Sequence, residues 1–237
     1  MKPHWTRINH SARYFRSMIE MVLDYATVKG WREGDNPARW KGNLEHVLAR
    51  KKPPTTHNAA IAIADAPKLY QALMAENHSG ARCAAFVLLT AARNGEARAA
   101  SVEQMDFVAD VWNVPGELMK RGLDHSVPLS QQALELLKQQ KVKASLYFPG
   151  HRAKVMSDNT VRKAIRAVGF EETTAHGLRS TFRDWCGESG VPRELAELAL
   201  SHAIGNETER AYRRLTALER RREVMQQWAD FLSGTSV

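Results

Sequence analysis

Hydrophobic positions recur along this chain in two rhythms, and the change from one to the other outlines its elements. Over residues 11–29, Tyr14, Met18, Met21, Val22 and Tyr25 return at the spacing of a helix. Ser11 is placed to cap the start of that helix and Gly30 to end it. The following "GWREGDNPARWKGN" is rich in Gly, Asn and Pro. After the short "LEHVLARK", the paired prolines of "KKPPTTHN" interrupt any helix, because proline lacks an amide hydrogen and restrains the residue before it. A boundary is therefore predicted near residue 56, with 1–55 a short helical segment and 56–237 the main domain.

Beyond the boundary, "DAPKLYQALMAEN" opens with Asp65 as a cap and Pro67 in the first turn. "GARCAAFVLLTAARNGEARAA" reads as a buried helix that breaks around Asn94 and Gly95. The rhythm then shortens: "QMDFVADVWNVP" and "HSVPLS" are brief, Val-rich and bounded by turn residues, which predicts a small antiparallel sheet of about three strands. Helices return in "SQQALELLKQQ", in "SDNTVRKAIRAVG" headed by Ser157, and in "VPRELAELALSH" opened by Pro192. Within "TAHGLRSTFRDWCGESG", Leu178, Phe182 and Trp185 share one helical face while His176, Arg179 and Arg183 share a neighbouring one. Thr216 and Glu219 have capping-box spacing ahead of a last helix striped by Met225, Trp228, Phe231 and Leu232. The expected fold class is α+β, mainly α: a helical domain with a small antiparallel sheet, preceded by the short helical segment.

Composition narrows the function classes. With 237 residues, 43% of them hydrophobic, the chain is long enough to bury a substantial core. Its longest apolar run, around "FVLLT", is far shorter than a membrane span requires, and "MKPHWTRINH" lacks the apolar centre of a secretory signal, so a cytoplasmic location is expected. Cys83 and Cys186 stand far apart without CxxC spacing and read as packed thiols, not as a disulfide framework or zinc cluster. A net charge of +8 and an isoelectric point near 9.7 favour a polyanionic partner. The late run "RAYRRLTALERRRE" reads as a solvated helix face.

Several residues stand out as candidates for chemistry. Arg93 ends the apolar helix just ahead of Glu96, which can hold its guanidinium; Lys120 lies between two strand-like segments; His176 precedes Arg179 by three residues; His202 ends a helix and Tyr212 follows ten residues later. Taken singly, each has an ordinary reading as a helix-terminal arginine, a surface lysine, a capping histidine or a half-buried tyrosine. Together they resemble the tyrosine recombinases of the phage-integrase family, most closely the branch from prophages and genomic islands. The resemblance covers residues 57–237 and is strongest in "TAHGLRSTFRDW" and "LSHAIGNETERAYRR". The family's order of Arg, Lys, His-x-x-Arg, His and Tyr is met by Arg93, Lys120, His176, Arg179, His202 and Tyr212. "LDYATVKGW" and "GDNPARW" resemble the latter half of a core-binding domain, which makes 1–55 a partial core-binding segment and 56–237 a catalytic domain.

The resemblance implies site-specific DNA recombination. Tyr212 would be the nucleophile that forms a 3′-phosphotyrosyl link to DNA, Arg93 and Arg179 the forks on the nonbridging oxygens, and His202 a further hydrogen-bond donor. His176 would be the base and Lys120 the acid that protonates the departing 5′ oxygen. No metal or nucleotide cofactor is implied, and no Walker loop appears. The implied partner is double-stranded DNA, bound by a homo-tetramer in which the last helix docks on a neighbouring protomer; the same apolar stripe suits packing on its own domain equally well. The alternative reading is a truncated prophage remnant that binds DNA without completing recombination.

Overall fold

Two separate cores organise the chain in its computed structural model, which describes residues 2–48, 60–120, 122–202 and 207–235, with the side chains of 2–3 and 207–216 left outside that description. The compact units are Met1–Thr56 and His57–Val237.

In the first unit, α1 (Lys2–Trp5) leads into α2 (Asn9–Val28). The predicted helix is present but begins earlier than expected: Ile8 occupies the N-cap and Ser11 lies inside the first turn. Gly30 follows the end with φ +70°, a conformation that suits glycine at a helix terminus. The apolar face that carried the prediction is exposed, with Tyr14 at 62% and Val22 at 65%. The opposite side is instead knitted to the loop by Asn36, whose Nδ2 donates to the Glu20 carbonyl and the Asp24 carboxylate, each at 2.8 Å. Asn36 Oδ1 accepts from the Ala38 amide at 2.9 Å, so one buried amide group satisfies three partners. Trp5 stacks on Trp40 at 5.4 Å and forms the small core with Ala12 and Leu48.

The second unit is built around one buried helix. α3 (Ala66–Ala75) is preceded by Asp65, which sits at the N-cap but turns its carboxylate to Lys68 at 2.9 Å in place of a helix amide. α4 (Ser79–Thr90) is buried along nearly its whole length, and His78 caps it by accepting from the Ala81 amide. The apolar helix does not break at Asn94–Gly95. It ends at Ala91, held at φ 50°, and α5 (Asn94–Arg98) starts immediately afterwards. No glycine marks this stop, so the sequence carries no local sign of it.

The sheet is antiparallel in the order β1 (Met105–Asp106), β2 (Val111–Val114), β3 (His125–Pro128), with Trp112 opposite Val127 and Val114 opposite His125. α6 (Gln131–Lys138) is capped by Ser130, and α7 (Asp158–Ala167) follows Ser157, whose hydroxyl meets Thr160 instead of a helix amide. α8 (Ala175–Glu188) is capped by Thr174, whose hydroxyl accepts from Gly177 N at 2.9 Å. α9 (Arg193–Ala199) begins after Pro192.

α10 runs unbroken from Glu207 to Ser233. The capping box expected at Thr216 is therefore not a helix start, and Glu219 pairs with Arg222 at 3.1 Å instead. Nor is the arginine run a plain solvated face. Arg221 is 5% exposed and donates to the carbonyls of Ser126 at 2.9 Å and Ala217 at 3.3 Å; Arg222 reaches the carbonyl of Ala109 at 3.0 Å. These bonds tie α10 to β3 and to the turn between β1 and β2.

α3, α6, α7, α8 and α10 all pack on α4. Leu178, Phe182 and Trp185 form the buried face read from the sequence. Trp228 sits 5.6 Å from Phe182, 5.1 Å from Trp185 and 5.7 Å from Phe231, and donates its indole N–H to the Leu88 carbonyl at 2.7 Å. Met225, Trp228 and Leu232 of the stripe are thus buried inside their own unit, and Phe231 is partly buried against the same core. Cys83 and Cys186 are free and buried, and burial pushes both thiols up to about 12, as packed inert groups. No described helix is long and apolar enough to cross a membrane.

Replacing Trp228 with Ala should cost about 3–5 kcal/mol, the range for deleting a buried large aromatic. Trp228→Phe should cost less, because the ring persists while the Leu88 carbonyl loses its donor. Urea unfolding measures both, and an unchanged midpoint for Trp228→Ala would contradict this packing.

Candidate active site

A guanidinium buried in a protein needs acceptors, and Arg179 finds them at the ends of two helices. It lies on α8, 5% exposed, where the Leu178–Phe182–Trp185 face anchors the backbone. Its Nη1 donates to the Ala91 carbonyl just past α4, and its Nη2 donates to the Leu200 carbonyl at the end of α9 at 2.7 Å. Helix C-terminal carbonyls lack intrahelical donors and form the negative end of the helix dipole, so they suit a buried cation. Burial, and then the neighbouring positive charge of Arg93, hold the Arg179 pKa down to about 10, with Glu96 opposing; the group remains charged at neutral pH. Two of its five N–H donors are spent on carbonyls, and Nη2 also faces His202 Nε2 at 3.5 Å.

Arg93 is brought to the same place by the left-handed turn at Ala91. It occupies the N-cap of α5, where Glu96 accepts from its backbone amide at 2.8 Å and from its Nη1 at 2.8 Å. Glu96 is 3% exposed, so the expected carboxylate partner is a buried one that fixes the fork. The end of α9 supplies His202, whose Nε2 lies 3.5 Å from Arg179 Nη2. Its Nδ1 lies 2.5 Å from Glu197 Oε2, and Arg183 Nε donates to the other Glu197 oxygen at 2.8 Å. Burial works to raise the Glu197 pKa, but the His202 and Arg183 contacts outweigh it and hold the carboxyl below its ordinary value. A fixed carboxylate thus orients the imidazole from behind, with Nε2 directed toward Arg179.

His176 stands in the first turn of α8, with its side chain exposed. Partial burial, followed by the charges of Arg179, Arg93, His202 and Lys120, lowers its pKa and keeps the ring neutral. That set of charges contains every other predicted site residue except Tyr212. Lys120 is exposed on the connection between β2 and β3. The connection is pinched at its base: Asp124 accepts from the Gly116 amide at 2.7 Å, and a Cβ at Gly116 would lie 2.6 Å from the Gly122 carbonyl oxygen. Tyr212 falls within α10, but its side chain lies outside the described residues. Among the described residues no group of His, Cys, Asp and Glu is suited to hold a metal ion.

Sequence reasoning missed two contributors. Glu197 lies fourteen residues from Arg183 on a different helix, and no periodicity connects them. His125, on β3, carried only the weak signal of a polar residue opening a Val-rich strand. Burial, then the charge of Arg221, lowers its pKa to about 3; a hydrogen bond to the Ala199 backbone opposes this, and Arg93 and Arg179 add to the lowering. His125 is therefore a neutral ring beside a cluster of cations.

The profile described as the phage integrase family matches residues 60–219, and that of the phage integrase central domain matches residues 1–43. Prophage integrase IntA of Escherichia coli (strain K12) is 38% identical over 153 residues, covering 62% of this chain and 37% of that protein. The integrase of Enterobacteria phage P4 is 33% identical over 245 aligned positions, covering 93% of this chain and 54% of that protein. The chain thus spans about half or less of the length of these relatives. The crystal structure of a lambda integrase dimer bound to a COC′ core site superposes with a TM-score of 0.61 at 18% identity, covering 85% of this chain and 76% of that one; at such identity the likeness concerns the fold.

Unfolded His125 takes a proton near pH 6.5, whereas the folded ring takes one only near pH 3. The stability it contributes is present above pH 6.5 and is lost as pH falls from there toward 3, by up to about 1.4 kcal/mol per pH unit. His125→Gln, which does not titrate, should flatten that part of the stability curve between pH 7 and 5 in urea titrations; an unaltered slope would contradict a neutral half-buried ring.

Proposed function

The chain belongs to the phage integrase family of tyrosine recombinases, and from that premise we propose that it cuts and rejoins DNA strands at a specific site through Tyr212. One observation carries the reading. Arg93 and Arg179, eighty-six positions apart in sequence, lie near enough for the Arg93 charge to depress the Arg179 pKa, and His202 Nε2 lies 3.5 Å from the Arg179 guanidinium. Two always-charged forks with fixed backs form a clamp for the nonbridging oxygens of a phosphodiester, where negative charge builds up during displacement.

The steps follow from the groups around that clamp. The Tyr212 oxygen attacks phosphorus, and its proton passes to His176, a ring kept neutral by its surroundings and hence available as a base. The bond from phosphorus to the 5′ oxygen breaks, and Lys120 gives that oxygen a proton from its exposed place on the hairpin connection. A 3′-phosphotyrosyl link and a free 5′ hydroxyl result. Attack by a 5′ hydroxyl from another strand then reverses the sequence and restores both donors. His202, oriented by Glu197, shares the phosphoryl charge with the two arginines. Neither a metal ion nor a nucleotide enters these steps.

The partner is double-stranded DNA, consistent with the net charge of +8, and the acting species is a homo-oligomer on that DNA, as a tetramer. Met225, Trp228 and Leu232 pack within their own unit, which favours contacts between protomers through other surfaces. The label of partial core-binding segment for 1–55 and of catalytic domain for 56–237 belongs to the same proposal, as does a location at the bacterial nucleoid.

Nicked duplexes of randomised sequence, whose cut strand cannot religate, test the chemistry. The unaltered chain should form a covalent adduct that survives denaturing electrophoresis, and Tyr212→Phe should form none. Arg179→Lys should fold normally by circular dichroism yet lose about 100-fold or more in adduct rate, since a point charge cannot replace a two-pronged donor. DNA retention without any adduct, equal for the chain and for Tyr212→Phe, would favour a remnant that only binds.

A further inference from the structure

At the other end of α4 from the arginine clamp lies a second basic feature that the proposed chemistry does not use. A cavity of about 770 Å³ opens between the α3–α4 turn, the end of α6 and the loop before α7. Arg82, Lys141, Lys143 and Arg152 line it together with Gln140 and Tyr147, and no Asp or Glu is among its lining residues. The Arg82 guanidinium is held by the Met74 sulfur at 3.2 Å and the Asn77 side-chain oxygen at 3.3 Å, both neutral, so its charge is not cancelled. Lys141, Lys143 and Arg152 are exposed, and none of the four is ion-paired among the described residues. Four uncompensated cations around one concavity create a local field for a polyanion and repel one another when it is empty.

Backbone conformation sets the same place apart. Among the described residues, seven other than glycine have positive φ; four of them are the consecutive pairs Ala144–Ser145 and Arg152–Ala153 in the loops at this cavity. Each costs about 1–2 kcal/mol relative to the ordinary right-handed region. Gly150, between the pairs, approaches Met156 so closely that a Cβ would lie 2.8 Å from its Cα. Two more, Ala91 and Ser201, flank the carbonyls that hold Arg179. Left-handed backbone is thus concentrated at the clamp and at the cleft.

We propose that this cleft is a second DNA-backbone station, which takes phosphates of the same duplex whose scissile phosphate enters the arginine clamp. The inference rests on the recombinase reading above. Its scale fits: α4 has twelve residues and spans about 18 Å between the cleft rim at Ser79 and the clamp at Ala91, comparable to about five nucleotide steps of one strand. Lysine and arginine side chains give the cleft sequence-independent grip, while Gln140 and the neighbouring amides add neutral hydrogen bonds to phosphate or sugar. The station positions the duplex and takes no part in bond breaking.

The triple variant Lys141→Ala/Lys143→Ala/Arg152→Ala removes exposed charges only. A control triple, Lys68→Ala/Lys163→Ala/Arg166→Ala, removes as many exposed cations from surfaces that do not line the cleft. Anisotropy titrations of a fluorescent duplex against salt are compared for both and for the unaltered chain. The cleft variant should show a shallower slope of log affinity against log salt, by about 0.9 for each phosphate it no longer neutralises, and an unchanged adduct yield at saturating nicked DNA. An unchanged slope, or an equal change in the control, overturns the proposal. So does a full DNA slope accompanied by binding of a polyglutamate peptide that the cleft variant fails to hold, which would reassign the cleft to an acidic protein segment. A chain with no steep slope and no adduct defeats the recombinase reading as well, whereas adduct formation with identical slopes defeats the cleft alone.

Discussion

A permanently charged guanidinium held 5% exposed at Arg179 is the constraint around which the larger unit is arranged. Such a group cannot escape its burial by losing a proton at neutral pH, so its surroundings must supply acceptors. The chain does so by ending two helices against it. α4 stops at Ala91 and α9 stops before Ser201, both with left-handed residues, and each presents a main-chain carbonyl to one arm of the fork. The cost of two left-handed residues is offset by satisfying a charge that would otherwise be stranded.

The same arrangement places the neighbours. The turn at Ala91 throws Arg93 into the N-cap of α5, where the buried Glu96 secures it from two sides. The end of α9 throws His202 toward Arg179, and Glu197, one turn back, locks the imidazole while Arg183 balances the carboxylate. A chain of polar contacts, from Arg183 through Glu197 and His202 to Arg179, therefore runs from the exposed face of α8 to the buried fork. His176 and His125 feel the positive side of this field, and both rings are held neutral by it together with burial. Neutrality serves different ends in the two cases: at His176 it leaves a lone pair in an exposed first turn, and at His125 it allows an imidazole to sit among arginines.

α10 completes the scaffold by a different physical means. Its apolar stripe joins Phe182 and Trp185 of α8 in one aromatic cluster, so the helix that carries Tyr212 and the helix that carries Arg179 share a core. Arg221 meanwhile reaches the Ser126 carbonyl in the hairpin from which Lys120 extends, and Arg222 the Ala109 carbonyl in the turn between β1 and β2. Three elements that contribute to the site are thereby linked without any of the site's own charges being used. α4, buried on nearly all sides, is the common wall that separates the clamp from the basic cleft.

Periodicity was enough to read the helical class, the three short strands and the buried Leu178–Phe182–Trp185 face, because each is encoded by local spacing; the six candidate site residues were named from a motif order that resembles a family, which spacing alone does not supply. Glu96 was also legible as the partner of Arg93, since the two are three residues apart. Tertiary structure decided what depends on contacts between distant segments. The stop at Ala91 carries no glycine and is set by the fork of Arg179, eighty-eight residues away. The run through Thr216 overrides a local capping signal, and the described contacts that hold α10 begin only beyond it, at Arg221 and Trp228. The pairing of Glu197 with Arg183, the inward turn of Arg221 and the neutral His125 follow from where buried charge finds a partner. The α2 stripe in the smaller unit makes the same point in reverse: spacing identified the helix, but not which face the loop around Asn36 would cover. Local sequence specifies which conformations are cheap, whereas the satisfaction of buried charge and polar groups is a property of the assembled chain.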